Sequence, residues 1–232
     1  MLLFFNGLPF SMPLILHPVL QLTARAEFML SAPTLAHCPP DMGMEVAFAG
    51  RSNAGKSSCI NALARQRQLA RASKTPGRTQ MINFFALGSE ERRLVDLPGY
   101  GYAKVSRSLK QDWQLHLGTY LQKRGSLRGL ILLMDIRHPL TDFDQNMLVW
   151  AKARDLAVHC VLTKADKLNR GPAMNALQAV KKDLKALGFV STVQLFSALK
   201  MDGLEELGDK LGEWLDYPPP GELPVEAHSR LA

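Results

Sequence analysis

Gly50-Arg51-Ser52-Asn53-Ala54-Gly55-Lys56-Ser57 is the segment whose residue types and spacing point most directly to chemistry. A glycine, four residues, then Gly-Lys-Ser is the pattern of a phosphate-binding loop. Glycines let the backbone curl so that successive N–H groups face an anion. Lys56 brings a mobile positive charge to the outer phosphates, and the Ser57 hydroxyl is a hard oxygen ligand suited to Mg²⁺. A helix opening at Lys56 would aim its positive end at the same anion. The flanks agree: "EVAFA" before the loop reads as a strand and "INALARQRQ" after it as a helix.

Three further segments could complete a nucleotide site. Asp96-Leu97-Pro98-Gly99 follows "RRLV"; an Asp there can hold Mg²⁺ through water and a Gly can offer its N–H to a γ-phosphate. Thr163-Lys164-Ala165-Asp166 follows "AVHCVL". A carboxylate at Asp166 can accept from both the ring N–H and the exocyclic amine of guanine. Adenine has no such pair, so Asp166 is expected to select GTP and GDP. The Lys164 stem can cover the base face. Phe196-Ser197-Ala198 follows the last apolar run, and the Ala198 N–H could meet guanine O6.

These segments need elements to place them. "MINFFALG" and "RRLVDLPG" read as two strands joined by a turn at Gly88-Ser89-Glu90. Leu109, Trp113, Leu117 and Tyr120 recur at helical spacing across 106–124. "GLILLMDI" is a continuous apolar run, as in a strand covered on both faces. "TDFDQNMLVWAKARD" is helical, with Thr141 or Asp142 as N-cap. "AVHCVLT", a helix from about 172, "TVQLF" and a leucine-spaced helix from Leu204 follow. Strands alternating with helices predict an α/β fold: a mostly parallel, six-stranded sheet with helices on both faces. Ligands in such sheets sit beyond the carboxyl ends of the strands, where each motif falls.

The 232 residues carry a net charge of +7 and a sequence pI near 9.5, which favours an anionic partner. Charge is polarised. From Arg51 to Gln80, seven basic residues (Arg51, Lys56, Arg65, Arg67, Arg71, Lys74, Arg78) meet no acid. From 201 onward, eight acids stand against Lys210 and Arg230. Cys38, Cys59 and Cys160 are far apart and read as small buried hydrophobes in a reducing compartment, the cytoplasm. Residues 1–27 are apolar and uncharged until Arg25, but lack the basic start of a secretory signal, and Pro9, Pro13 and Pro18 break any spanning helix. The expectation is a loosely ordered extension over 1–27, or translation from an upstream start codon, with a nucleotide-binding domain over 28–216 and a disordered tail over 217–232. No stable membrane association and no DNA contact are expected.

"GRSNAGKS", "KTPGRTQ", "VDLPGYGYA", "LMDIRHPL", "LTKADKL" and "FSAL" together resemble the EngB (YihA/YsxC) family of bacterial GTPases, of the TrmE–Era–EngA–YihA–Septin class. The resemblance runs from about Phe28 to Leu215. It implies a Ras-like P-loop GTPase fold, binding of GTP, GDP and Mg²⁺, and a role in maturing the large ribosomal subunit or its rRNA precursor. It also implies a link to cell division and septation. A monomer is expected. By motif match, Ser57 and Thr79 are the two Mg²⁺ ligands, and Gly77, Arg78, Thr79, Gln80 and Met81 line the nucleotide. Thr163 stands where most GTPases have Asn, as it does within this family. Its expected cost is a hydrogen bond tying the base loop to the phosphate loop.

No catalytic base is evident. In Ras, the residue after D-x-x-G is a glutamine that orients water; here Tyr100 occupies that place. Slow intrinsic GTP hydrolysis is expected, until a partner such as ribosomal RNA, a switch residue, or a K⁺ ion contacting Asn53 completes the site. Two other readings stay open: a septation-associated GTPase working through protein contacts, and a P-loop kinase of a small metabolite. The kinase would have no use for "TKAD".

Overall fold

The structure, a computed structural model, describes residues 17–70, 81–99 and 107–217, with side chains in the third helix described from residue 115. Seven strands among these residues form one sheet: β1 (Ala26–Ala32), β2 (Met44–Gly50), β3 (Ile82–Leu87), β4 (Arg92–Asp96), β5 (Leu127–Asp135), β6 (Ala157–Thr163) and β7 (Ser191–Leu195). Their order across the sheet is β1-β3-β4-β2-β5-β6-β7. β4, β2, β5, β6 and β7 run parallel; at one edge β3 pairs antiparallel with β4, and β1 antiparallel with β3. The helices are α1 (Pro18–Ala24), α2 (Lys56–Ala64), α3 (Arg107–Lys123), α4 (Asp142–Lys152), α5 (Arg170–Ala186) and α6 (Leu204–Trp214).

Period-two alternation in β2 divides the interior. Ala47 and Ala49 face a core with Leu117, Tyr120, Leu121, Phe143, Met147, Leu177 and Val180. Val46 and Phe48 face a second core with Ile60, Leu63, Leu207, Leu211 and Trp214. Both faces of the central strands are therefore covered, which is why they read as unbroken apolar runs. The parallel strands end together at Gly50, Asp96, Asp135, Thr163 and Leu195. The Gly50–Ser57, Asp96–Gly99, Thr163–Asp166 and Phe196–Ala198 motifs leave from that end.

The sheet has one strand more than the six expected. β1 joins the edge by pairing with β3, Ala26 opposite Leu87 and Ala32 opposite Ile82. Its burial does not alternate, so the sequence carries no period-two signal there. The expected loose extension through residue 27 does not describe residues 18–27. Val19, Leu20 and Leu22 of α1 are buried in the core with α2 and α6. The Thr23 hydroxyl donates to Leu63 O at 2.8 Å, and His17 Nε2 lies 2.8 Å from Asp209. At seven residues, α1 is too short to hold by propensity, and packing supplies its stability.

The opposite end of the sheet is closed by a buried ionic cluster. Glu45 is fully buried. Its Oε1 accepts from Arg93 Nε at 2.9 Å and Arg124 Nη2 at 2.7 Å; its Oε2 accepts from Tyr120 Oη and Arg124 Nε, both at 2.9 Å. Asp41 receives the Gly125 and Ser126 N–H groups at 2.8 and 2.7 Å. The cluster fixes the C-terminal end of α3 to the strands that carry the phosphate loop and Asp96.

Candidate functional site

The phosphate loop turns through two left-handed residues, Asn53 (φ 66°) and Gly55 (φ 92°). Gly55 precedes the first turn of α2, so the N–H groups of that turn open toward the loop. At Gly50 a Cβ would lie 2.7 Å from Leu133 O on β5. A side chain there would push the loop off the sheet.

Asp96 reaches the loop because the chain stays paired beyond the end of β4: Leu97 N donates to Phe48 O at 3.0 Å. Lys56 and Asp96 form a buried ion pair. Gly99 then passes beside Ser52, where a Cβ on it would be 3.7 Å from Ser52 N. Pro98 lies between them, and the Asp96–Gly99 segment is thereby set against the phosphate loop, as its sequence predicts. Ser57, in the first turn of α2, is half-buried, and Arg51 is exposed.

The base-side loops are locked to each other and to the phosphate loop. Ala165 N donates to Phe196 O at 3.1 Å, and Phe196 N donates to Leu162 O at 2.9 Å. The fully buried Ser197 hydroxyl donates to Asp166 Oδ1 at 2.7 Å and accepts from Lys200 N at 3.2 Å. The bond from Ser197 holds the Asp166 carboxyl below the ordinary carboxylate range, so it stays an acceptor. Ala198, next in the chain, is half-buried.

Thr163 corrects an expectation. Its hydroxyl lies 2.6 Å from Ala54 O and 3.1 Å from Met134 O. The tie between base loop and phosphate loop is kept, with the shorter threonine reaching a backbone carbonyl. Lys164 adds a second tie, Nζ to Asn53 O at 2.6 Å. It also meets Asp135 Oδ2 at 2.9 Å, a partner that sequence reasoning missed. The available signal was an acid closing the apolar run of β5.

Gly77, Arg78, Thr79, Gln80 and Tyr100 lie outside the described residues. Met81, just before β3, is exposed. Among the described residues no group of three or more His, Cys, Asp and Glu side chains could hold a metal. The oxygens near the loop, Ser57 Oγ and the Asp96 carboxylate, are hard donors of the kind Mg²⁺ takes alongside phosphate oxygens and water. The three cysteines are free thiols, Cys59 and Cys160 buried and Cys38 half-buried. No helix among the described residues is long and apolar enough to cross a membrane.

A matching family model, described as a 50S ribosome-binding GTPase, covers residues 45–164. Curated relatives include a "Probable GTP-binding protein EngB" of Acinetobacter baylyi, 61% identical over 188 residues, spanning 81% of this chain and 79% of that protein. The chain belongs to the EngB family. The Acinetobacter baumannii protein of the same name is also 61% identical over 188 residues, with 81% of this chain and 89% of that one covered. The crystal structure of a probable GTP-binding protein engB superposes with a TM-score of 0.61 at 18% identity, covering 74% of this chain and 98% of that one. That likeness bears on the fold, the P-loop GTPase architecture expected for an EngB-family chain.

One buried acid of this EngB-family chain stands apart from the nucleotide motifs. Asp144, the third residue of α4, closes a capping box with the N-cap Thr141: its Oδ2 accepts from the Thr141 N–H and hydroxyl, both at 2.8 Å. Its Oδ1 is buried without a hydrogen-bond partner among the described residues. Burial raises its pKa to about 6, against the Thr141 bonds and the Arg51 charge. Between the ordinary carboxylate value and about 6, the folded protein keeps a proton that the unfolded chain has lost. This contribution is therefore complete at low pH and disappears as pH rises through about 6. Asp144→Asn should gain on the wild type by up to about 3 kcal/mol between pH 4 and pH 7. Urea unfolding at several pH values measures the difference; a pH-independent difference would show that Asp144 titrates alike in the folded and unfolded chains.

Proposed function

We propose that this chain binds GTP and GDP with Mg²⁺, hydrolyses GTP slowly by itself, and acts in the cytoplasm as a switch in assembly of the large ribosomal subunit. A requirement in cell division and septation would follow from that role. The observation that carries the nucleotide reading is the shared strand end: Lys56 and Asp96 meet at the phosphate loop, while Asp166, fixed by Ser197, is tied to that loop through Thr163 and Lys164. Ser57 and Thr79 are the proposed Mg²⁺ ligands; the ion would neutralise phosphate charge. The ribosomal reading rests on the family's description and on the basic block. Arg51, Arg65 and Arg67 are exposed; Arg71, Lys74 and Arg78 continue the block in sequence.

The test is co-sedimentation with ribosomal subunits in GDP and in a non-hydrolysable GTP analogue. Large subunits should be retained more strongly with the analogue. Replacing Arg65, Arg67, Arg71 and Lys74 with Ala should weaken that association while nucleotide affinity holds. Each lost phosphate contact should lower the salt slope by about one unit. A quadruple variant with wild-type affinity and slope would show that these residues only keep the surface soluble. Equal binding in both nucleotide states, with the charge effect intact, would make the block an anchor independent of the switch.

A further inference from the structure

Lys164, just past β6, joins the Asp135 carboxylate at the end of β5 to Asn53 in the loop after β2. Asp135 closes β5, and its two oxygens face four donors. Oδ1 accepts from the Arg137 N–H at 3.1 Å and Arg137 Nε at 2.9 Å; Oδ2 accepts from Arg137 Nη2 at 2.6 Å and Lys164 Nζ at 2.9 Å. The Arg137 bonds first, then those from Lys164, hold the carboxyl well below the ordinary range, so it stays charged. Lys164 spends a second proton on Asn53 O at 2.6 Å. Both ends of that bridge have left-handed backbone, Asn53 at φ 66° and Lys164 at φ 58°, a conformation that non-glycine residues hold only where their surroundings enforce it.

We propose that Asp135, backed by Arg137, is a positioning residue for nucleotide binding, holding Lys164 across the phosphate loop so that base loop and phosphate loop act as one rigid receptor. Lys164 is the side chain whose stem would lie along the base. Its ammonium has a choice between water and Asn53 O. Asp135 decides that choice by placing a fixed negative charge beside the carbonyl. Remove the charge, and Arg137 and Lys164 become adjacent like charges with no carboxylate between them, which favours release of Lys164 to solvent. The Asp135, Lys164 and Arg137 side chains are 17%, 31% and 46% exposed, so solvent screens the cluster and moderates the effect. Discrimination between bases should be untouched, because the Ser197–Asp166 bond does not pass through Asp135.

This inference rests on the guanine-nucleotide reading above, and one set of measurements separates the two. Dissociation of a fluorescent GDP analogue is followed by stopped flow for the wild type, Asp135→Asn, Lys164→Met and the double variant, with ADP as competitor. A wild type that binds no guanine nucleotide would defeat the nucleotide reading itself. If the wild type binds, Asp135→Asn should release GDP about tenfold faster, the size expected for a charge-assisted bond partly exposed to water. Preference for GDP over ADP should remain. Lys164→Met should add little in the Asp135→Asn background, because both changes break the same bridge. Arg137→Met, which leaves Asp135 in place, should give a smaller acceleration and serves if Asp135→Asn does not fold. Release within twofold of wild type in whichever variant folds, fully multiplicative effects in the double variant, or collapse of GDP-over-ADP preference would each overturn the assignment.

Discussion

Asp166→Asn is expected to change the preferred base from guanine to xanthine. Guanine presents two donors side by side, the ring N–H and the exocyclic amine, and a carboxylate accepts both. Xanthine has an acceptor in place of the amine, which an amide can match with one donor and one acceptor. Ser197 fixes one Asp166 oxygen at 2.7 Å, so the carboxylate is held in a set orientation. The site therefore cannot swing to accommodate a mismatched edge. Each buried polar group left unpaired costs about 1–3 kcal/mol. Two such groups should lower affinity for GTP on the order of a hundredfold or more. The measurement is competition between GTP and XTP in the wild type and the variant, with circular dichroism as the folding control. Unchanged GTP affinity in a folded variant would remove Asp166 from the base site.

Loss of Glu45 should do the largest damage to the fold. Glu45→Ala would strand two guanidinium groups, both on residues only 3% exposed, and would leave the Tyr120 hydroxyl without its acceptor. Arg93 retains the Met42 and Glu90 carbonyls, and Arg124 retains Pro40 O at 3.4 Å and Asp41 at 3.6 Å. These dipoles and one half-exposed carboxylate do not replace a buried charge. Breaking a buried pair by removing one partner costs about 3–5 kcal/mol, against a total stability of about 5–15 kcal/mol for an ordinary domain. Thermal midpoint should fall by roughly 10 °C or more, at a few degrees per kcal/mol for a domain of this size. Differential scanning calorimetry of the nucleotide-free protein reads it directly. A shift equivalent to less than about 1 kcal/mol would show that the two arginines re-pair or reach water at little cost.

Much of the site was legible because its motifs are local. A loop that wraps a phosphate draws its N–H groups, lysine and hydroxyl from consecutive residues, so Gly50–Ser57 announces itself by spacing. Asp96 closes β4 and Asp166 follows the end of β6 by three residues, and parallel strands bring their ends to one edge. The strand–helix alternation behind that argument is also local, a matter of period and turn residues. The Gly88 turn is one example: its φ is 71°, and β3 and β4 pair on either side of it.

The sequence by itself determined the order of the elements from β2 onward, the phosphate-loop pattern and the family to which the chain belongs. Tertiary structure decided what depends on groups far apart in the chain. Thr163 looked like a lost hydrogen bond until the fold brought its hydroxyl 2.6 Å from Ala54 O, 109 residues away. Asp135 looked like the last residue of a strand until Lys164, 29 residues on, came to rest against it. Glu45 sits in a run read only as a strand, and its partners come from 48, 75 and 79 residues downstream. α1 and β1 carry too weak a periodic signal to be read, because α6, α2 and β3 supply the surfaces that make them fold. Local spacing fixes which atoms a segment can offer. Which distant atoms meet them is set by the packing of the whole sheet, and no short window of sequence contains that information.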